Sequence, residues 1–499
     1  MEKKLSYEDI KRLGFDEIKI GKLERIISSG ITPYAYSFEG QQLIIDILKK
    51  YEKATHEREK ETVSLAGRIY AIRQHGKAIF ADLRDFTGKI QIYLKEDTLG
   101  KEKFYFFKDL IDTGDIIGLK GQVFRTKMGE LTVWVNEYTL LSKSLSPLPE
   151  KFHGLQDTER RYRERYLDLI CNQDSKEVFI KRAKAISTIR HILESKGFIE
   201  VETPILQPLY GGANARPFET YHNFLKQKLY LRIAPELYLK RLVVGGFEKV
   251  FEIAKNFRNE SIDTLHNPEF TMIEIYEAYK DYKGMMDLTE ELISEVIKET
   301  NGKYKVNFGG HEIDFKPKWK VSSMSDLVKE FSGIDVDSLN FKELMAKAKK
   351  EGLKEAENIK TKGELIVLLF ENLVEKSLIQ PTFVTDFPVE VSPLAKKRRD
   401  NTLFAERFEL FVNGYELANG FSELNDPLEQ KERFEIQINE KKEDVAKIVD
   451  YDYVKALGYG LPPTGGVGIG IDRLVMFATN KPSIKEVILF PHMRPQSDI

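Results

Sequence analysis

Two strand-like runs, Val250 to Phe257 and Phe270 to Tyr279, flank a polar turn from Arg258 to Pro268, the pattern of an antiparallel pair with a long loop. Side chains alternate across a strand, so Phe270, Met272, Glu274 and Tyr276 share one face while Thr271, Ile273 and Ile275 take the other. At ~3.3 Å per residue, the Phe270 ring and the Glu274 carboxylate stand roughly 13 Å apart, about the span from an adenine to the far end of an amino acid joined to it. In the turn, Arg258 and His266 can supply charge-assisted donors to phosphate. Taken alone, an aromatic residue on a strand more often packs a core. The acid and the cations beside this one point to a bound nucleotide.

A second group of acids lies on Phe408 to Ala418, where Asn413-Gly414 between alternating runs is a strong hairpin signal. A two-residue turn pairs Val412 with Tyr415 and Phe411 with Glu416, which puts Glu409 diagonal to Glu416 on one face. Carboxylates roughly 7 Å apart repel unless a cation lies between them. Mg²⁺ carrying ATP phosphates suits, because it takes few protein carboxylates and fills its other positions with phosphate oxygens and water. The alternative is two solvated surface acids. Further along, Asn419, Phe421 and Glu423 share a face whose parity is opposite to that of Glu416, and a bulge near Gly420 reconciles the two sets. Glycines at 466, 468 and 470 strip one face of a last strand, allowing close approach by a ligand or by another backbone. Arg473 follows at the start of an apolar helix, a planar cation able to stack on a base or bind phosphate.

These residues need a scaffold, and 499 residues exceed one core. Helical spacing with Leu23, Ile26 and Ile27, then Leu43, Ile44, Ile47 and Leu48, predicts a helical N-terminal extension over 1–55, broken by the Gly30 to Pro33 turn. Short strands follow at Val63 to Ile72, Ala78 to Leu83, Lys89 to Leu94, Ile116 to Phe124 and Glu130 to Leu140. Five strands with one long connection predict an OB-type barrel over 56–146, either a structural spacer or an oligonucleotide binder. After the Pro147 and Pro149 linker, a mixed α+β domain is expected over 147–499, with helices from about Lys176 to Lys196 and Pro235 to Val244. A helical, Lys/Glu-rich block at about 321–380 reads as a solvated insertion.

Composition narrows the chemistry. Lys+Arg of 77 against Asp+Glu of 79 leaves no global field, so any nucleic-acid contact must be local. No apolar run could span a bilayer, and the first residues lack the apolar core of a signal peptide, so cytoplasmic residence is expected. The single cysteine, Cys171, forms no internal disulfide and reads as a packing residue. There is no P-loop, no third glycine to make a dinucleotide fingerprint of Gly466-Val-Gly468-Ile-Gly470, no His-Glu-x-x-His and no Gly-x-Ser-x-Gly.

Taken together, three segments resemble the signature motifs of class II aminoacyl-tRNA synthetases: Gly197-Phe-Ile-Glu-Val-Glu-Thr-Pro204-Ile-Leu206, Val250 to Tyr279 with Phe257-Arg-Asn-Glu260, and Gly466 to Arg473. Within that class, Arg232-Ile-Ala-Pro-Glu236-Leu-Tyr-Leu-Lys240, His266-Asn-Pro-Glu-Phe270-Thr and Asn419-Gly-Phe-Ser-Glu423-Leu-Asn425 resemble the lysyl-tRNA synthetases, as do His153-Gly-Leu-Gln-Asp157 and Arg163-Glu-Arg-Tyr-Leu-Asp168. The resemblance covers the chain from about Lys22 onward. It implies an α+β fold, an OB-fold barrel before a catalytic domain whose antiparallel sheet is flanked by helices. It implies a ligase using ATP and Mg²⁺, with L-lysine and tRNA(Lys) as partners, acting as a homodimer.

By position, the resemblance assigns Arg258 and His266 to the ATP phosphates, Glu260 to the ATP site, and Phe270 and Arg473 to a sandwich around adenine, with Arg258 also on the substrate carboxylate. It assigns Glu409 and Glu416 to the metal, and Gly212 and Glu236 to the α-ammonium. Glu274, Tyr276 and Glu423 fall to the ε-ammonium, with Asn419 nearby and Phe421 along the aliphatic stem. In the barrel, Phe80 and Gln91 match positions that stack on and hydrogen-bond the central anticodon uridine. Two positions depart: Leu265 stands where many bacterial members have arginine, and Ser261 where glycine is usual.

Overall fold

The computed structural model describes residues 6–149, 155–439 and 449–496. His153, Gly154, the end of the proline linker and Met1 to Leu5 lie outside them. The chain divides into two compact units, 1–154 and 155–499.

In the first unit β1 (Thr62–His75), β2 (Ala78–Arg84), β3 (Lys89–Lys95), β4 (Ile116–Arg125) and β5 (Leu131–Ser142) close a barrel in the order β1-β2-β3-β5-β4. Alternation decides what enters the barrel: on β2, Ile79, Ala81 and Leu83 are core residues while Phe80 and Asp82 face out. The long β3 to β4 connection carries the Lys101–Leu110 helix, whose Phe104 and Phe107 join the core. The N-terminal helices Glu17–Ser28 and Ile44–Lys50 are integral to this unit, because Ile26, Ile44 and Ile47 belong to the barrel's core.

The second unit is built on an eight-stranded sheet. Its strands are β6 (Ile199–Glu200), β7 (Lys249–Phe257), β8 (Glu269–Ala278), β9 (Lys320–Ser323), β10 (Thr382–Thr385), β11 (Arg407–Val412), β12 (Tyr415–Ser422) and β13 (Thr464–Gly470), in the order β9-β10-β11-β12-β13-β8-β7-β6. β7 and β8 pair antiparallel from Lys249↔Glu277 to Phe257↔Glu269. The glycine strand β13 lies between β8 and β12. Helices Gln173–Ser195, Tyr282–Asn301 and Ile471–Thr479 share one apolar core with this sheet, to which Ile273 and Ile275 contribute. The opposite face of β8 is therefore free to carry the site.

The insertion differs from the solvated block expected. Its helices Met324–Ser332, Phe341–Lys350 and Lys362–Leu373 enclose a core of their own, with Leu327, Leu344, Leu365 and Phe370, which reaches the sheet at Phe411. The Phe370 and Phe411 rings lie 5.3 Å apart. Its charged residues cover the outside of an anchored subdomain.

Candidate active site

All fourteen of the expected residues in the second unit line one cavity of about 610 Å³: Gly212, Glu236, Arg258, Glu260, His266, Phe270, Glu274, Tyr276, Glu409, Glu416, Asn419, Phe421, Glu423 and Arg473. The strands explain the convergence. β8 presents Phe270, Met272, Glu274 and Tyr276 on one side, as two-residue alternation requires.

The hairpin turn at Asn413 and Gly414 has φ of 49° and 73°, the paired positive values of a type I′ turn. Pairing runs Val412↔Tyr415, Phe411↔Glu416, then Leu410↔Ala418 and Glu409↔Asn419, so the extra residue is Leu417. The expected bulge thus sits three residues before Gly420. Leu417 turns into the core together with Leu410, and burying both leucines is what returns Glu416 and Asn419 to the same side.

The glycine face of β13 is filled by the site's own walls in two places of three. A Cβ on Gly466 would sit 2.1 Å from Glu423 Oε1 and 2.6 Å from the Tyr276 ring, and one on Gly468 would sit 2.8 Å from Met272 Cε. At Gly470 the nearest atom would be 3.7 Å away. Gly466 and Gly468 therefore serve side-chain packing, and only Gly470 leaves room beside Arg473.

One end of the cavity is acidic and buried. Glu274 is buried, accepts a 2.9 Å hydrogen bond from the Tyr276 hydroxyl, and is pushed up to about 8 by burial, with Glu236 adding to the shift. Burial likewise raises Glu423 well above the carboxylate range. Glu423 is not free, however. It is paired with Lys240, a fully buried lysine that also meets Glu236 Oε1 at 2.6 Å. Gly212 has φ of 86°, and a Cβ there would lie 3.0 Å from Glu236 Cβ, so glycine lets this backbone approach the acid.

The other end mixes signs. Desolvation holds the Arg258 guanidinium below its usual pKa, with Glu416 opposing. Its buried Nε has no hydrogen-bond partner, and its face lies 5.0 Å from the Phe270 ring. Burial pushes Glu409 up to about 7, although Arg407 pairs with it at 2.5 Å. Arg473 Nη1 donates to the Glu416 carbonyl and lies 3.6 Å from its Oε2. The positive charge near each acid thus comes partly from Arg407 and Arg473. His266 is held by Asp263 at 2.9 Å in an exposed loop, and Leu265, where the resemblance has arginine, packs on the hydrophobic core.

Lys240 and Arg407 escaped the sequence reading. Arg407 donates to Asn419 Oδ1 at 3.1 Å, the Val391 carbonyl at 2.9 Å and Ser392 Oγ at 3.0 Å, so it ties the Glu409 end to the Asn419 end. Only strand parity with Glu409 could have flagged it.

On the barrel, Phe80 lies outside the core, with its ring 4.7 Å from Tyr93. Tyr93 lies 4.7 Å from Trp134, over which Arg58 stacks at 4.4 Å. Core packing is therefore not what holds Phe80. Gln91 is 7% exposed and already bonded, donating to Glu130 at 2.8 Å and accepting from Thr132 at 3.0 Å. An amide on a base would have to exchange those partners.

Among the described residues no helix is long and apolar enough to cross a membrane. Residues 157–494 match the model of the tRNA synthetases class II (D, K and N), and residues 63–141 match that of the OB-fold nucleic acid binding domain. A protein of Methanosarcina acetivorans named lysine--tRNA ligase 2 is 58% identical over 96% of this chain and 94% of its own. Proteins named lysine--tRNA ligase from Methanoculleus marisnigri and Syntrophomonas wolfei are 56% and 51% identical, over 97% and 99% of this chain and 96% and 99% of theirs. The chain belongs to the class II tRNA synthetases of the D, K and N family, an OB-fold barrel followed by a catalytic domain.

Proposed function

We propose that the chain is a cytoplasmic lysine–tRNA ligase that activates L-lysine with ATP, releases pyrophosphate, and transfers lysine to the 3′ end of tRNA(Lys). The observation that carries this reading is the cavity's acidic end. Buried Glu274 and Glu423, with Tyr276, offer replacement partners for an ammonium that leaves water. The same acids repel aspartate and give neutral asparagine little to bind.

Glu236 and the Gly212 backbone take the α-ammonium, Phe421 lies along the stem, and Asn419 borders the ε end. Arg258 holds the lysine carboxylate against the α-phosphate, so the attack is in line and the accumulating charge meets a fixed guanidinium. His266 lies toward the outer phosphates, Glu260 lines the ATP site, and Phe270 and Arg473 enclose the adenine. Little proton transfer is needed, which agrees with a site built of binding groups.

Glu409 and Glu416 are the residues that would hold Mg²⁺, which when bound neutralises phosphate charge. Their fit rests on the partly buried Glu409 carboxyl, whose ionisation both desolvation and Glu416 oppose. Glu409→Gln or Glu416→Gln should slow adenylate formation and move the Mg²⁺ titration to higher concentration, with lysine binding measured without ATP little changed. Unmoved Mg²⁺ titrations in both variants would refute the assignment.

Phe80 is the anticodon platform in this reading, and Phe80→Ala should weaken tRNA charging by about 1 to 3 kcal/mol while adenylate formation stays intact. An equal fall in pyrophosphate exchange would mean that the residue acts through folding. Two copies pair through the Gly197 to Leu206 segment, where Ile199, Ile205 and Leu206 are exposed. The direct test of the whole reaction is ATP-dependent attachment of labelled lysine to tRNA(Lys). A protein that forms no such product is not this ligase.

A further inference from the structure

Lys240 is fully buried and does not line the cavity. It follows Glu236 by one turn of the Glu236–Val244 helix and donates to Glu236 Oε1 at 2.6 Å. The same ammonium pairs with Glu423 Oε2 and lies 5.3 Å from the Phe421 ring. A single cation thus joins the acid assigned to the α-ammonium to the acid assigned to the ε-ammonium. Lys240 meets Oε1 of the first and Oε2 of the second, while Glu236 Oε2 would lie 3.6 Å from a Cβ on Gly212 and Glu423 Oε1 2.1 Å from one on Gly466.

The charges make the same point. Glu236, Glu274 and Glu423 can place three negative charges on buried side chains, whereas lysine brings two ammonium groups. One more buried cation balances the set, and Lys240 stays protonated because its two acids outweigh the cost of burial. The other charged groups nearby are committed: Glu252 pairs with Arg232 at 2.5 Å and Arg241 with Asp450 at 2.8 Å. Tyr276 donates to Glu274, and the buried Tyr453 hydroxyl has no partner.

We propose that Lys240 is a positioning residue for amino-acid recognition, fixing Glu236 and Glu423 so that each turns one oxygen to the substrate and both ends of lysine are read together. The proposal rests on lysine being the substrate. Among the described residues the ion pairs of Glu236 and Glu423 are both with Lys240, so the role falls to a residue behind the wall.

The test is lysine-dependent pyrophosphate exchange by wild type, Lys240→Met, Glu423→Gln and the double variant, with norleucine and 6-aminohexanoate as inhibitors. Lys240→Met should raise KM for lysine about tenfold or more while KM for ATP stays within about twofold. The acid limb of kcat/KM for lysine should move to higher pH, because the lost cation no longer favours ionised Glu423 and Glu274. Discrimination against both inhibitors, one lacking the ε-ammonium and the other the α-ammonium, should narrow together. If the single variant does not fold, the double variant removes the pair as a neutral unit, and relative to Glu423→Gln it should lose further discrimination against 6-aminohexanoate alone. A folded Lys240→Met with unchanged lysine KM and acid limb would overturn the proposal, as would a double variant indistinguishable from Glu423→Gln. Wild type inert toward lysine would instead overturn the substrate reading.

Discussion

Replacing Glu274 with glutamine is expected to cost about 3 to 5 kcal/mol of lysine recognition while ATP binding survives. The substitution keeps the shape and the contact to Tyr276 but leaves a buried ammonium short of one charge. Wild type should reject norleucine, which has the stem without the charge, and the variant should lose most of that preference. The pH dependence follows from the same carboxyl. Burial, with Glu236 beside it, raises Glu274 to about 8 against the opposing Tyr276 hydrogen bond, so near neutrality a proton competes with the incoming ammonium. KM for lysine should therefore fall as pH rises from about 6 toward about 8, and Glu274→Gln should flatten that limb, leaving only the part due to Glu423. A variant that still selects lysine over norleucine as strongly as wild type would show that Glu274 does not read the ε-ammonium.

Replacing Arg258 with glutamine should slow adenylate formation by roughly 10² to 10³, the usual loss when a preorganised donor to developing charge is removed. Two features single out this guanidinium. Desolvation already strains its charge, and its buried Nε has no hydrogen-bond partner among the described residues, so a phosphate or carboxylate would satisfy what they leave open. Its backbone is fixed independently of any ligand, the Arg258 N–H donating to the Pro268 carbonyl at 2.9 Å across the base of the loop. Arg258→Lys should recover only part of the rate, because an ammonium cannot reproduce a planar two-donor fork. Single-turnover formation of the adenylate at saturating ATP and lysine measures this, and a rate within about threefold of wild type in Arg258→Gln would contradict the assignment.

Local periodicity made much of the site legible. The face shared by Phe270, Glu274 and Tyr276 follows from strand alternation alone, and Asn413-Gly414 set the turn that opposes Phe411 to Glu416. The resemblance then brought in residues from distant segments, such as Gly212, Glu236 and Glu423, whose meeting no local pattern encodes. What stayed hidden depends on tertiary contacts. The bulge falls at Leu417 because two leucines seek the core, a preference a glycine-centred guess could not weigh. Lys240 closes a motif of the resemblance, yet its contacts stayed hidden because the acid that completes its pair, Glu423, sits on a remote strand. The insertion's lysines and glutamates masked the periodic leucines that give it a core.

The central claim is that this cavity recognises lysine and joins it to AMP. Its most direct measurement is incorporation of labelled pyrophosphate into ATP, run separately with each of the twenty amino acids. The account predicts exchange with lysine alone, and dependence on Glu274 and Arg258. Exchange driven by aspartate or asparagine in place of lysine, or no exchange with any amino acid, would contradict it.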